Sequence, residues 1–144
     1  MHDSIVMIYT HSRDNADKHY CFFCVLWYNC FMRNYLLEYS EKLAIGIAEL
    51  CRTISGENNI CFQIKKSSSS IYANVREANY GQSTADMISK FEIALKESNE
   101  TEGWLKLLHE SNTISDTLFK ELRNLCGRIR RLLISSIKTL KSKV

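Results

Sequence analysis

No proline occurs anywhere in the 144 residues, and glycine occurs only five times. Proline and glycine are the residues that end helices and shape tight turns. A multi-stranded β domain needs many such turns, so a chain this poor in both is biased towards long uninterrupted helices. The apolar pattern agrees. From Asn34 onward, Leu36, Tyr39, Leu43, Ile47, Leu50 and Ile54 step by three and four, the spacing of one helix face. Ser55-Gly56-Glu57-Asn58-Asn59 then interrupts the pattern with turn residues. Ile64, Ile71, Val75 and Ala78 form a second apolar row. It passes through the run Ser67 to Ser70, which composition alone would allow as a flexible linker. The continuing row favours a helix in which small serines let a neighbour approach closely.

Gly81 is placed to adopt a left-handed conformation just past a helix end. Ser83 with Asp86 three residues on resembles a capping box. Met87, Phe91, Ala94, Thr101, Leu105 and Leu108 give a third helical face, locally weakened by Gly103. Asn112 suits the left-handed position after it, and Ser115 the cap of a fourth helix. The spacing predicts helices near 34–54, 59–80, 84–111 and 115–141. Four long helices with short connections make an all-α, antiparallel up-down four-helix bundle. An apolar share of 45% is enough to bury one such core and excludes a wholly disordered chain.

Residues 1–31 have a different character, rich in aromatics and cysteine and without a sustained period. Two readings follow. They form an N-terminal extension upstream of a natural start at Met32, leaving residues 32–144 as the bundle domain. Alternatively, Tyr20 to Phe31 is an extra helix packed on the bundle. The apolar stretch Tyr20 to Met32 is shorter than the roughly 20 residues needed to span a bilayer. It also lacks the basic start and cleavage site of a secretory signal. The expected setting is a reducing cytoplasm, with no membrane partner. Of the six cysteines, Cys51, Cys61 and Cys126 fall singly at apolar positions and read as buried free thiols. Cys21 and Cys24, with His19 nearby, have one half of a zinc-ligand spacing but no second pair.

A net charge of +3 is too small to identify a partner, but its placement is informative. Between Thr84 and Glu110 six acids face three lysines, whereas Arg123 to Val144 contains seven basic residues and no acid. On the fourth helix Leu118, Phe119, Leu122, Leu125, Cys126, Ile129, Leu132, Leu133, Ile137 and Leu140 cover an arc of about 140°. Phe119, Cys126, Leu133 and Leu140 repeat along one border of it. That border is either spare apolar surface for another subunit or part of a deep core. Lys120, Arg123, Arg130, Arg131, Lys138 and Lys141 fall within about 100° on the other side, a row of one sign suited to a polyanion. Lys65 and Lys66 on the second helix are candidates to join it.

Catalytic signatures are missing. There is no phosphate-binding glycine loop, no dinucleotide fingerprint and no His-Glu-x-x-His. Glu77, Glu97 and Glu100 are candidates to meet in the bundle interior, either as paired carboxylates or as glutamates satisfied by Arg76, Lys90, Asn74 or backbone groups. His109 stands alone, and a nucleophile would have no placed base. The reading is of a non-enzyme without metal or cofactor.

One stretch carries a resemblance. Ser69-Ser70-Ile71-Tyr72-Ala73-Asn74-Val75-Arg76-Glu77-Ala78 resembles the Ser-Ile-x-Ala-Asn-Ile-x-Glu-Ala segment of the four-helix-bundle family also called 23S rRNA intervening-sequence proteins. Gln82 to Lys90 is similar to that family's Gln-Ser-x-x-Asp-Phe-Ile-x-Lys. Ile93 to Leu105 is similar to its Ile-Ala-x-Lys-Glu-x-x-Glu-Thr-x-x-Trp-Leu. Gln63 and Ile114-Ser115 fit the openings of its second and fourth helices. Lys66-Ser67-Ser68 replaces the more common Arg-Ser-Gly, and Asn112 a usual glycine. The resemblance covers about Asn34 to Lys141. It implies a bundle that assembles as a ring-shaped homo-oligomer, typically a homopentamer. Some members are encoded inside insertions in ribosomal RNA genes. Relatives serve diversity-generating retroelements as accessory proteins that bind a reverse transcriptase and nucleic acid through basic surfaces.

The motif residues Ser70, Asn74 and Glu77 share one face of the second helix. Glu97, Thr101 and Trp104 are similarly related on the third, and with Lys90 and Glu100 these residues read as a structural polar network between the second and third helices. The expected function is a nucleic-acid-associated accessory module acting through the basic row on RNA or DNA backbone. The alternative is a structural or protein-interaction bundle whose charges give solubility.

Overall fold

A computed structural model describes residues 22–142, with side chains from residue 34. Four helices follow in order: α1 (Phe22–Thr53), α2 (Asn58–Ala78), α3 (Thr84–Glu110) and α4 (Asp116–Lys141). No strand occurs among the described residues. Each helix packs on its neighbours in sequence, α1 and α4 close the bundle, and among the described residues the backbones of the diagonal pairs stay apart. This is the antiparallel up-down arrangement that short connections dictate.

The expected boundaries hold within two residues except at the start of α1. The regular apolar period begins at Asn34, but the helix begins at Phe22. No proline or glycine stands between Phe22 and Ala44, so nothing interrupts the backbone ladder. Phe22 to Phe31 is thus the first part of α1 rather than a separate helix, and Met32 lies inside it. His2, His11, His19 and Cys21, and the side chains of Cys24 and Cys30, fall outside what is described. No helix among the described residues is long and apolar enough to cross a membrane.

The predicted apolar rows meet along the bundle axis. Leu43, Ile47, Ile64, Ile71, Val75, Ala94, Leu105 and Leu133 are all fully buried. The serine run is helical throughout. Ser67 and Ser68 are buried at 1% exposure, and their hydroxyls donate to the carbonyls of Ile64 and Lys65 at 3.2 Å. Their small volume brings α2 and α3 close.

The caps follow the sequence with one exchange of roles. Ser83 Oγ accepts from the Asp86 amide at 3.1 Å, and Asp86 Oδ2 accepts from the Gln82 amide at 3.3 Å. Ser115 Oγ accepts from the Leu118 amide at 3.3 Å. Asn112 takes the left-handed turn at φ 56°. Gly81 does not, contrary to expectation; the left-handed glycine is Gly56, at φ 89° in the α1–α2 turn. Gly81 instead gives clearance, because a Cβ there would lie 3.2 Å from Asp86 Oδ2 and 3.3 Å from the Ala78 carbonyl. Cys51, Cys61 and Cys126 are free thiols; Cys61 and Cys126 are buried, while Cys51 is half-buried. Burial pushes the Cys126 thiol up to about 12.

Candidate nucleic-acid interface

α4 is strongly two-sided because its apolar and basic residues keep separate angular ranges over seven turns. Its apolar arc is consumed within the chain. Cys126 and Leu133 have no exposure, Leu140 is half-buried, and Phe119 stacks against His109 with ring centroids 4.2 Å apart. The border Phe119–Cys126–Leu133–Leu140 therefore belongs to the intrachain core and is not spare surface. His109 has a structural setting of its own. Its Nε2 lies 2.7 Å from Asp116 Oδ1, which ties the end of α3 to the start of α4.

The basic row divides in two. Arg123, Arg130 and Lys141 point within about 20° of one another along α4, on the side of α3. Each meets an α3 carboxylate. Arg123 Nε donates to Glu102 at 3.0 Å, Arg130 also donates to Glu102, and Lys141 Nζ donates to Glu92 at 2.7 Å. Arg130 reaches Asn99 Oδ1 as well, at 3.1 Å. Glu102 keeps only 20% side-chain exposure between its two guanidiniums. Burial alone would raise its carboxyl, but the hydrogen bonds from Arg130 and Arg123 outweigh burial and hold it below the ordinary value. The acidic third helix thus neutralises the facing edge of the basic fourth.

Lys120, Arg131 and Lys138 form the other edge, about 60° further round the helix. All three are exposed, and none makes an ion pair among the described residues. Beyond them Arg128 leans towards α1 and sits over the Tyr39 ring, 5.5 Å from its centroid. Lys65 and Lys66 are exposed on α2, which lies diagonally across the bundle from α4. The structure does not bring them to the α4 row.

The polar motif residues are also sorted by the fold. Asn74 Nδ2 donates to the Ser70 carbonyl at 2.9 Å and to its hydroxyl at 3.3 Å, both within α2. Glu77 crosses to α3, accepting from Lys90 at 2.5 Å. Glu100 accepts from Trp104 Nε1 at 3.3 Å, within α3. Glu77 and Glu100 are exposed and Glu97 is half-buried, so the three carboxylates do not meet in the interior. Burial, with the neighbouring charge of Glu100, raises the Glu97 carboxyl. Thr101, expected in the α3 face of the network, does bridge the two helices, donating to Ser67 at 2.8 Å. Its partner Ser67 is the member that sequence reading does not supply, since the serine run signals only small residues that let a helix approach.

Comparison with known proteins agrees with this architecture. No curated protein matches the chain. A solved structure of a protein of unknown function, from the S23 ribosomal protein family of Bacteroides thetaiotaomicron VPI-5482, is 40% identical with a TM-score of 0.70. The match covers 74% of this chain and 98% of that one. Residues 34–135 match the family model described as 23S rRNA-intervening sequence protein. The match spans most of all four helices, from the first described side chain to the last third of α4, and on it the chain belongs to the 23S rRNA-intervening sequence protein family.

Proposed function

We propose that this chain is a non-enzymatic accessory module of the cytoplasm that holds nucleic-acid backbone along the outer edge of α4. One observation carries the reading: Lys120, Arg131 and Lys138 make no ion pair among the described residues, with only Asp116 acting on Lys120 through space, while Arg123, Arg130 and Lys141 are neutralised by α3. The outer edge extends over about 27 Å of helix, long enough to follow several phosphates. Three cations bind weakly in one copy. A ring of subunits, five by family resemblance, repeats the edge, and linked weak contacts multiply into useful avidity. A reverse transcriptase is a fitting protein partner on the same resemblance. No cofactor is required.

A second reading, a bundle for protein contacts alone, is favoured by exposed Phe62, Tyr80 and Leu107 at 63%, 82% and 52%. Scattered apolar residues of this kind are common on monomers, and the same side chains also suit contacts within a ring. Salt separates the two readings. The parent protein should bind a labelled oligonucleotide at low salt, with affinity falling steeply as salt rises. Lys120→Glu with Arg131→Glu and Lys138→Glu should reduce the log–log salt slope by about 2 to 3. Lys65→Glu with Lys66→Glu, on the opposite helix, should change it little. A parent protein that does not bind, or a triple variant that binds as the parent does, would leave the protein-contact reading in place.

A further inference from the structure

The outer edge of α4 runs into a cleft between α1 and α4. Tyr35, Tyr39, Arg128, Arg131 and Leu132 line it, and its volume is about 300 Å³. That is the lower end of the range in which proteins hold small ligands. Tyr35 and Tyr39 are one turn apart on α1, and their rings stack with centroids 5.9 Å apart and planes 27° from parallel. Arg128 crosses from α4 to lie over Tyr39, where the ring quadrupole attracts its charge. Three planar groups therefore stand together at the rim, two of them aromatic.

The charge around the cleft is one-sided. No carboxylate lines it among the described residues. The next depression along the same α1–α4 groove contains Glu49 and Glu121 beside Lys42 and Arg128. Arg128 and Arg131 are the charged residues that line the Tyr35 end among the described residues. Arg131 belongs both to this cleft and to the outer edge, so a backbone lying along the edge passes the mouth of the cleft.

We propose that the α1–α4 cleft holds an unpaired base of single-stranded nucleic acid, stacked beside Tyr35 and Tyr39, with its phosphate on Arg131. This rests on the nucleic-acid reading above and adds the strandedness of the ligand. A lysine row alone attracts any phosphate chain. Aromatic and guanidinium planes add attraction only where a base face is available, and a duplex keeps those faces in its own stack. Every base has such a face, so the contact carries little sequence preference.

The test uses three labelled probes with equal numbers of phosphates: a single-stranded oligothymidine, an abasic oligonucleotide and a duplex. Fluorescence anisotropy on the parent protein should show the oligothymidine bound about tenfold more tightly than the abasic strand, the range expected for one stacked base. Tyr35→Leu with Tyr39→Leu should abolish that difference and keep the salt dependence. Tyr35→Phe with Tyr39→Phe, which preserves the ring faces, should retain it. Equal binding of the oligothymidine and abasic strands by the parent overturns the cleft while leaving the basic edge intact. So does a duplex bound more tightly than the single strand. Failure to bind any probe overturns both. The comparisons on the parent and the Phe variant do not depend on how well the Leu variant folds.

Discussion

Thr101 on α3 donates a hydrogen bond to Ser67 on α2 at 2.8 Å, and neither side chain is more than 1% exposed. Ser67 in turn donates to the Ile64 carbonyl at 3.2 Å. Two small hydroxyl residues thus occupy the seam where larger side chains would hold the helices apart. Ser98, also fully buried, makes a weaker link by donating to the Cys126 carbonyl of α4 at 3.5 Å. Hydroxyls buried in a bundle must be satisfied, and satisfied ones fix which residues face each other.

Replacing Thr101 with Val keeps the shape and removes the donor. We expect Thr101→Val to destabilise the bundle by about 1–2 kcal/mol in urea unfolding. Adding Ser67→Ala should recover part of that loss, because no acceptor is then left waiting. Strictly additive single and double variants would show that the two hydroxyls do not act as a pair.

Two glutamates should respond to pH in opposite directions. The Glu102 carboxyl is held below its ordinary value of 4.5. Its contribution is present above that value and is lost as pH falls through the lowered one. Glu102→Gln should therefore destabilise at neutral pH and flatten the acid limb of the stability profile. The Glu97 carboxyl is raised above 4.5. Its penalty is present at neutral pH and disappears below the ordinary value, where it is protonated in both states. Glu97→Gln should stabilise at pH 7 and lose that gain near pH 4. Thermal melts across this range check both signs; matching profiles for the two variants would contradict the assignment.

Arg130 and Glu102 also revise what charge reversal does. The basic row of α4 lies off the apolar arc, which suggests that Arg123, Arg130 and Arg131 tolerate glutamate equally. Arg130→Glu would instead place a second carboxylate against Glu102, which has only 20% side-chain exposure. It should lower the melting temperature by several degrees, consistent with an uncompensated, partly buried charge. Arg131→Glu, with no such neighbour, should leave the melt nearly unchanged. Equal melts for the two variants would mean that the Glu102 pair contributes nothing to stability.

Gly103 and Gly81 should part company on substitution by alanine. A Cβ at Gly103 meets nothing within 4 Å, and the residue lies inside α3. Gly103→Ala should stabilise by about 1 kcal/mol. At Gly81 the added atom falls 3.2 Å from Asp86 Oδ2, part of the α3 cap. Gly81→Ala should give no gain. A melt in which Gly81→Ala stabilises as much as Gly103→Ala would remove the clearance role assigned to Gly81.

The number of helices, their buried faces and the caps at Ser83, Ser115 and Asn112 are written in the sequence by itself. Each depends on residues within a turn or two, and a period of three and four is visible in one dimension. The family motif is legible for the same reason, since it lies in contiguous segments. The start of α1 is not legible that way, because the absence of a helix breaker is a weaker signal than the onset of a period. Which cations of α4 stay available was decided only by the tertiary structure. Arg123, Arg130, Arg131 and Lys138 look alike along the helix. The register of α3 against α4 sets Glu102 and Glu92 in ion pairs with one edge, and no α3 carboxylate pairs with the other among the described residues. The cleft arises in the same way, where Tyr35 and Tyr39 from early in the chain meet Arg128 and Arg131 from its last helix. Contacts between residues so far apart depend on how whole helices pack and slide against one another, and no local pattern of residues records that choice.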